Sequence, residues 1–136
     1  VLVGIDFSEG SLGAVREAQW LAHRTGLDLQ VLHVTESEDP WRPDAPAQDW
    51  LRAVPVDPKA LLVRQGQPWV EIVRHAHEVS AAVIVVGSHG ASGPQAITLG
   101  STASKVALRS PCPVLFVARR AERRPTDEWA ASSFHP

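Results

Sequence analysis

Two periods of apolar spacing alternate along the chain. Short, nearly all-apolar runs rich in β-branched residues occur at Val1–Asp6 (VLVGID), Asp28–Val34 (DLQVLHV), Asp57–Arg64 (around ALLVR), Ala82–Val86 (AVIVV) and Pro113–Ala118 (PVLFVA). Each reads as a strand covered on both faces. Between them the spacing lengthens to that of a helix. Ser8 and Glu9 offer helix-start chemistry, Ala14, Val15, Ala18, Leu21 and Ala22 recur on one face, and Gly26 offers a stop. Pro68–Val79 starts on a proline and places Trp69, Ile72, Val73 and Ala76 together, and Ser101–Arg109 reads as a further helix. The regular pattern lapses across Glu36–Val56, which holds Pro40, Pro43, Pro46 and Pro55 with Trp41 and Trp50. Helix is unfavourable over most of that crossover, with room for a short one near Ala47–Val54.

Buried strands alternating with helices predict an α/β fold: an open parallel sheet of five strands with helices on both faces. In the order 3-2-1-4-5, the winding direction reverses between the first and fourth strands. Sheets of this kind bind ligands at that point, beyond the carboxyl ends of the strands. The first strand ends at Asp6 and the fourth at Gly87, so both open on the same crevice.

Composition narrows the class. The 136 residues carry a formal charge of −2, with 21% charged side chains. One domain is expected over residues 1–118, followed by a polar tail at 119–136 that frays. The charge gives no argument for nucleic acid or an acidic membrane surface, and no apolar run approaches the ~20 residues of a spanning helix. Cys112, the single cysteine, sits between two prolines and has no internal disulfide partner. It reads as a small buried residue compatible with a reducing cytoplasm, where the protein is expected to act. The chain has no methionine and opens directly on a strand, which suggests that residues precede Val1.

The stretch after the fourth strand carries the chemistry. GSHGASGPQAITLGST spaces Gly87, Gly90 and Gly100 so that Gly100, Ser101 and Thr102 open a helix. Glycine permits close backbone approach to an anion, and a helix start adds amide N–H groups and a favourable dipole. Gly93 falls outside that spacing and serves the turn before Pro94. The pattern is neither a Walker loop nor the dinucleotide fingerprint.

On these residues the sequence resembles the universal stress protein family, whose nucleotide-binding branch carries Gly-x2-Gly-x9-Gly-Ser/Thr after the fourth strand. Further likeness lies in VGIDFSE at Gly4–Glu9, LHV at Leu32–Val34, GQPWVEIV at Gly66–Val73 and SPCPVLFV at Ser110–Val117. The resemblance covers Val1 to Ala118. It implies strand order 3-2-1-4-5 and binding of ATP, ADP or AMP with a divalent cation (Mg or Mn) held mainly by the phosphates. It also implies a homodimer paired through the fifth strand, Pro113–Ala118. Carried over position by position, Ile5 lies near the base, Asp6 contacts the ribose and the backbone of Val34 holds the adenine edge. Gly87, His89 and Gly90 line the ribose-phosphate path, and Gly100, Ser101 and Thr102 bind phosphate. Two positions depart from the family: Ala91, where an Arg is frequent, and Ala103, where some members carry a phosphate-binding Thr.

Single residues keep plainer readings beside these. Asp6 could serve as a helix cap, and His89 contributes its backbone rather than its imidazole. Trp20 and Trp69 read as core or half-core, and Trp41 and Trp50 fall near the pocket rim. His23, His33, His75, His77 and His135 lack metal-ligand spacing. No nucleophile elbow places Ser8 for catalysis. The fifth strand would be an apolar sheet edge, a hazard unless paired. The function expected is a nucleotide-binding sensor in stress response. The alternatives are a slow ATP hydrolase and a nucleotide-free dimeric scaffold.

Overall fold

The apolar run at the start of the chain is buried on both sides because it forms the middle of a sheet. In the computed structural model, which describes residues 1–88 and 99–118, β1 (Leu2–Ile5) is followed by α1 (Glu9–Thr25), β2 (Gln30–Thr35), α2 (Ala45–Ala53), β3 (Leu61–Gln65), α3 (Pro68–Glu78), β4 (Ile84–Gly87), α4 (Ser101–Arg109) and β5 (Val114–Val117). The strands form one sheet in the order β3-β2-β1-β4-β5. All pairings are parallel, with Val3 opposite Val31 on one side and Val85 on the other. This is the expected order; β1 ends at Ile5, one residue before Asp6, and its neighbour β4 ends at Gly87.

Successive β1 side chains serve opposite faces. Val1, Val3 and Ile5 join Val15, Ala18, Val31, Trp50 and Val85 in one core cluster. Leu2 joins Leu32, Ile72, Ala76, Ile84 and Val106 in the other. Ser8 caps α1, its hydroxyl accepting from Ser11 N–H at 3.3 Å, and Gly26 ends the helix with φ 71°. Trp20 departs from its expected core place. It is 41% exposed and lies against the Arg24 guanidinium, 5.6 Å from the ring centroid. The small Ala14, Ala18 and Ala22 form the buried stripe instead.

The proline-rich crossover is more ordered than its composition suggests. Asp44 accepts from Ala47 N–H at 2.9 Å, and Pro46 occupies the first turn of α2, where no intrahelical N–H is needed. Trp50 then reaches the core rather than the rim, with its indole N–H donating to the Ser8 carbonyl at 3.0 Å. Phe7 stacks on Trp41 (ring centroids 5.7 Å) and meets Trp50 edge-on (5.4 Å).

Before α3, Gly66 has φ 145°, and a Cβ there would lie 2.9 Å from the Glu71 side chain. Glycine is therefore required both by conformation and by space. Glu71 itself is buried and is held by Arg74 at 3.0 Å, with Arg64 at 3.8 Å. Next to it His75 is buried, its Nε2 within 2.6 Å of Gln30 Oε1. Burial, and secondarily the Arg64 charge, lower the His75 pKa from its ordinary value. This charged group knits α3 to β2 and β3 on the side of the sheet away from α1.

Candidate functional site

A cavity of about 290 Å³ opens at the carboxyl ends of β1 and β4. Ile5, Asp6, Val34, Gly87, Gly100, Ser101 and Thr102 all line it. His89, Gly90, Ala91 and Gly93 lie outside the described residues, as does the tail at 119–136. The remaining lining comes from Gly4, Ser11, Leu32, Pro68, Ile72, Val86 and Ala103. Most of these look like ordinary core or helix residues in sequence. Ala103 was marked by the family resemblance, and Gly4 stands out only as a glycine inside an otherwise apolar strand.

The lining divides into three zones. Gly4, Leu32, Val34, Ile72 and Val86 form an apolar slot. Asp6 brings the only charged side chain among the described lining residues. Gly100, Ser101 and Thr102 bring the start of α4. Gly100 occupies the cap position without a side-chain capping bond, and its N–H donates to the Ser88 carbonyl at 2.7 Å. Its φ of −60° and ψ of 162° are open to any residue. Backbone conformation therefore does not require glycine at this position. Ala103 is buried and packs in the α3/α4 core cluster.

Asp6 is not itself the cap residue. The cap of α1 is Ser8, and Asp6 stands behind it. Asp6 Oδ1 accepts from Ser8 N–H at 3.0 Å and from the Ser11 hydroxyl at 2.6 Å. Between these residues Phe7 has φ 60°, a left-handed value costly for a bulky side chain. The turn leaves Asp6 on the cavity lining and the Phe7 ring beside Trp50 and His33. Among the described residues, no group of three or more His, Cys, Asp and Glu side chains could hold a metal ion.

Residues 1–118 match the profile of the universal stress protein family. The chain belongs to that family. Among relatives, universal stress protein YxiE of Bacillus subtilis is 50% identical over 52 residues, 38% of this chain and 35% of that protein. A universal stress protein of Mycolicibacterium smegmatis is 32% identical over 88% of this chain and 46% of its own length. This chain thus spans less than half the length of either relative. Among solved structures, a universal stress protein in complex with cAMP is 31% identical, with a TM-score of 0.60 over 87% of this chain and 94% of that one. No helix among the described residues is long and apolar enough to cross a membrane.

Proposed function

We propose that the cavity binds an adenine nucleotide, and that the chain acts in the cytoplasm as a stress-response module whose partner contacts depend on occupancy. The observation that carries this reading is the three-zone lining. A phosphate cannot sit beside the Asp6 carboxylate without charge repulsion, so it belongs at the start of α4, where amides and dipole favour an anion. That leaves the ribose beside Asp6 and the base in the apolar slot near Ile5 and Val34, with the Val34 backbone at the adenine edge. Gly87 lies along the ribose-phosphate path. The solved relative in complex with cAMP supports an adenine ring as the occupant. The cavity's about 290 Å³ stands near the small end of ligand pockets, which run from roughly 300 to 1,000 Å³. Mg or Mn accompanies the phosphates of ATP or ADP and is held through them.

The reading is of binding rather than hydrolysis. Phosphoryl transfer needs charge to stabilise the leaving oxygens and a group to place water. None of the described lining residues is a Lys or Arg.

Calorimetry with Mg-ATP, Mg-ADP, AMP and cAMP tests the proposal. At least one is expected to bind below millimolar, and absence of binding by all four sinks it. Gly100→Val keeps an allowed backbone but places a branched side chain over the first turn of α4. It is expected to weaken binding about tenfold or more, the worth of one charge-assisted hydrogen bond.

The sheet edge supports a homodimer. Leu115 on β5 is 40% exposed and Leu108 on α4 is 81% exposed, and β5 has one strand neighbour. Pairing two copies along the fifth strand would cover this edge. Sedimentation equilibrium at micromolar concentration should give about twice the 14.7 kDa chain mass. A monomer at that concentration would count against the pairing.

A further inference from the structure

We infer that Ser11 is the positioning residue that holds Asp6 for the sugar, and that through it the site prefers ribonucleotides to deoxyribonucleotides. The inference rests on the nucleotide reading above. Ser11 is 4% exposed and lines the cavity. Its hydroxyl oxygen accepts the Asp6 backbone N–H at 2.8 Å. The single hydroxyl proton then goes to Asp6 Oδ1, 2.6 Å away. One side chain therefore grips both the backbone and the carboxylate of the same residue.

A plain helix-capping role does not account for this arrangement. Ser8 already closes the cap by accepting from Ser11 N–H. In the usual capping box, the third helical residue reaches back to the N–H of the cap residue. Here that N–H is taken by Asp6 Oδ1, and the Ser11 side chain reaches two residues further back. The result is a closed set of bonds among Asp6, Ser8 and Ser11 around the left-handed Phe7. Bonds to a charged oxygen are short and directional. With Oδ1 accepting from two donors, the plane of the carboxylate is set before any ligand arrives. Asp6 is exposed in the free protein, so the discrimination comes from the hydrogen bond that a matching sugar hydroxyl gains with an acceptor already in place.

The test compares ATP with 2′-deoxy-ATP and 3′-deoxy-ATP, and the corresponding monophosphates, by calorimetry on the full chain. The wild-type protein should bind the ribose form about tenfold or more tightly than at least one deoxy form. In Ser11→Ala and in the near-isosteric Ser11→Cys this ratio should fall to near unity, chiefly through lost affinity for the ribose form. Ser11→Thr, which retains the hydroxyl, should restore the ratio. If Ser11→Ala does not fold, Ser11→Cys carries the same comparison. An unchanged ratio with equal loss for both sugars would make Ser11 merely structural, as would a wild-type protein that binds both sugars equally. Either result overturns the inference and leaves the nucleotide reading standing. No binding of any of these ligands, or of ADP or cAMP, by the wild type removes both.

Discussion

Trp50→Ala is expected to lower the free energy of unfolding by about 3–5 kcal/mol, the usual cost of truncating a buried aromatic residue. Whole domains are stable by only about 5–15 kcal/mol, so the variant should be close to unfolded at ambient temperature. Several separate links fail together. The indole is 5% exposed and packs among Val15, Val31 and Val54 in the core cluster between the sheet and α1. Its N–H spans 42 positions in sequence to reach the Ser8 carbonyl, and its ring supports Phe7 at 5.4 Å. Trp50→Phe keeps most of the packing but leaves the Ser8 carbonyl without this donor, so its cost should be about 1–2 kcal/mol. Urea denaturation of both variants, followed by circular dichroism, gives the comparison. A loss below about 1 kcal/mol for Trp50→Ala would mean that α2 is not part of the cooperative core.

Gly4→Val should separate binding from folding. Gly4 lies mid-strand in β1 on the cavity floor. A Cβ there would meet Ile72 Cδ1 at 2.8 Å, with Ile72 Cγ1 at 3.4 Å and Val86 Cγ1 at 3.5 Å. The closest atom is the end of a flexible side chain, so Ile72 can turn away. Ile72 also lines the cavity, and the space it turns into is the space proposed for the base. Overpacking of this kind costs about 1–3 kcal/mol in stability. Affinity for an adenine nucleotide should fall about a hundredfold, because the valine and the displaced Ile72 narrow the same slot. Gly4→Ala should show the same direction at about tenfold, with under about 1 kcal/mol lost in stability. Calorimetry and denaturation on the same preparations decide it. Binding preserved in Gly4→Val would place the base elsewhere.

These two positions also show what can and cannot be read from a linear sequence. The strands were legible because burial on both faces forces unbroken apolar runs, and the boundaries moved only by a few residues, as at β3, which starts at Leu61 rather than Asp57. The helix from Ser8 to Gly26 was legible because its cap and stop are local chemistry. The crevice followed from topology and brought Asp6 and Gly87 to one cavity. α2 was harder to see, because prolines argue against helix everywhere except the first turn, and Pro46 falls there. Trp50 looked like a rim residue because nothing near it in sequence shows what it packs on. Trp20 erred the other way: its helical spacing is sound, but the stripe that faces the sheet is made of alanines. Ser11 and Gly4 escaped notice as site residues because their roles depend on Asp6 and Ile72, partners that only the fold brings to them in the required geometry.

The start of α4 meets the cavity with backbone and hydroxyl groups, and the glycine-rich stretch from Gly87 to Thr102 contains neither Lys nor Arg. On the proposed reading, affinity for phosphate then comes from fixed dipoles at short range. Attraction between mobile formal charges fades as the Debye length shrinks, to about 8 Å at physiological ionic strength. A site built from amides is comparatively indifferent to that screening. Its occupancy would follow the supply of nucleotide even when osmotic stress changes the salt content around it.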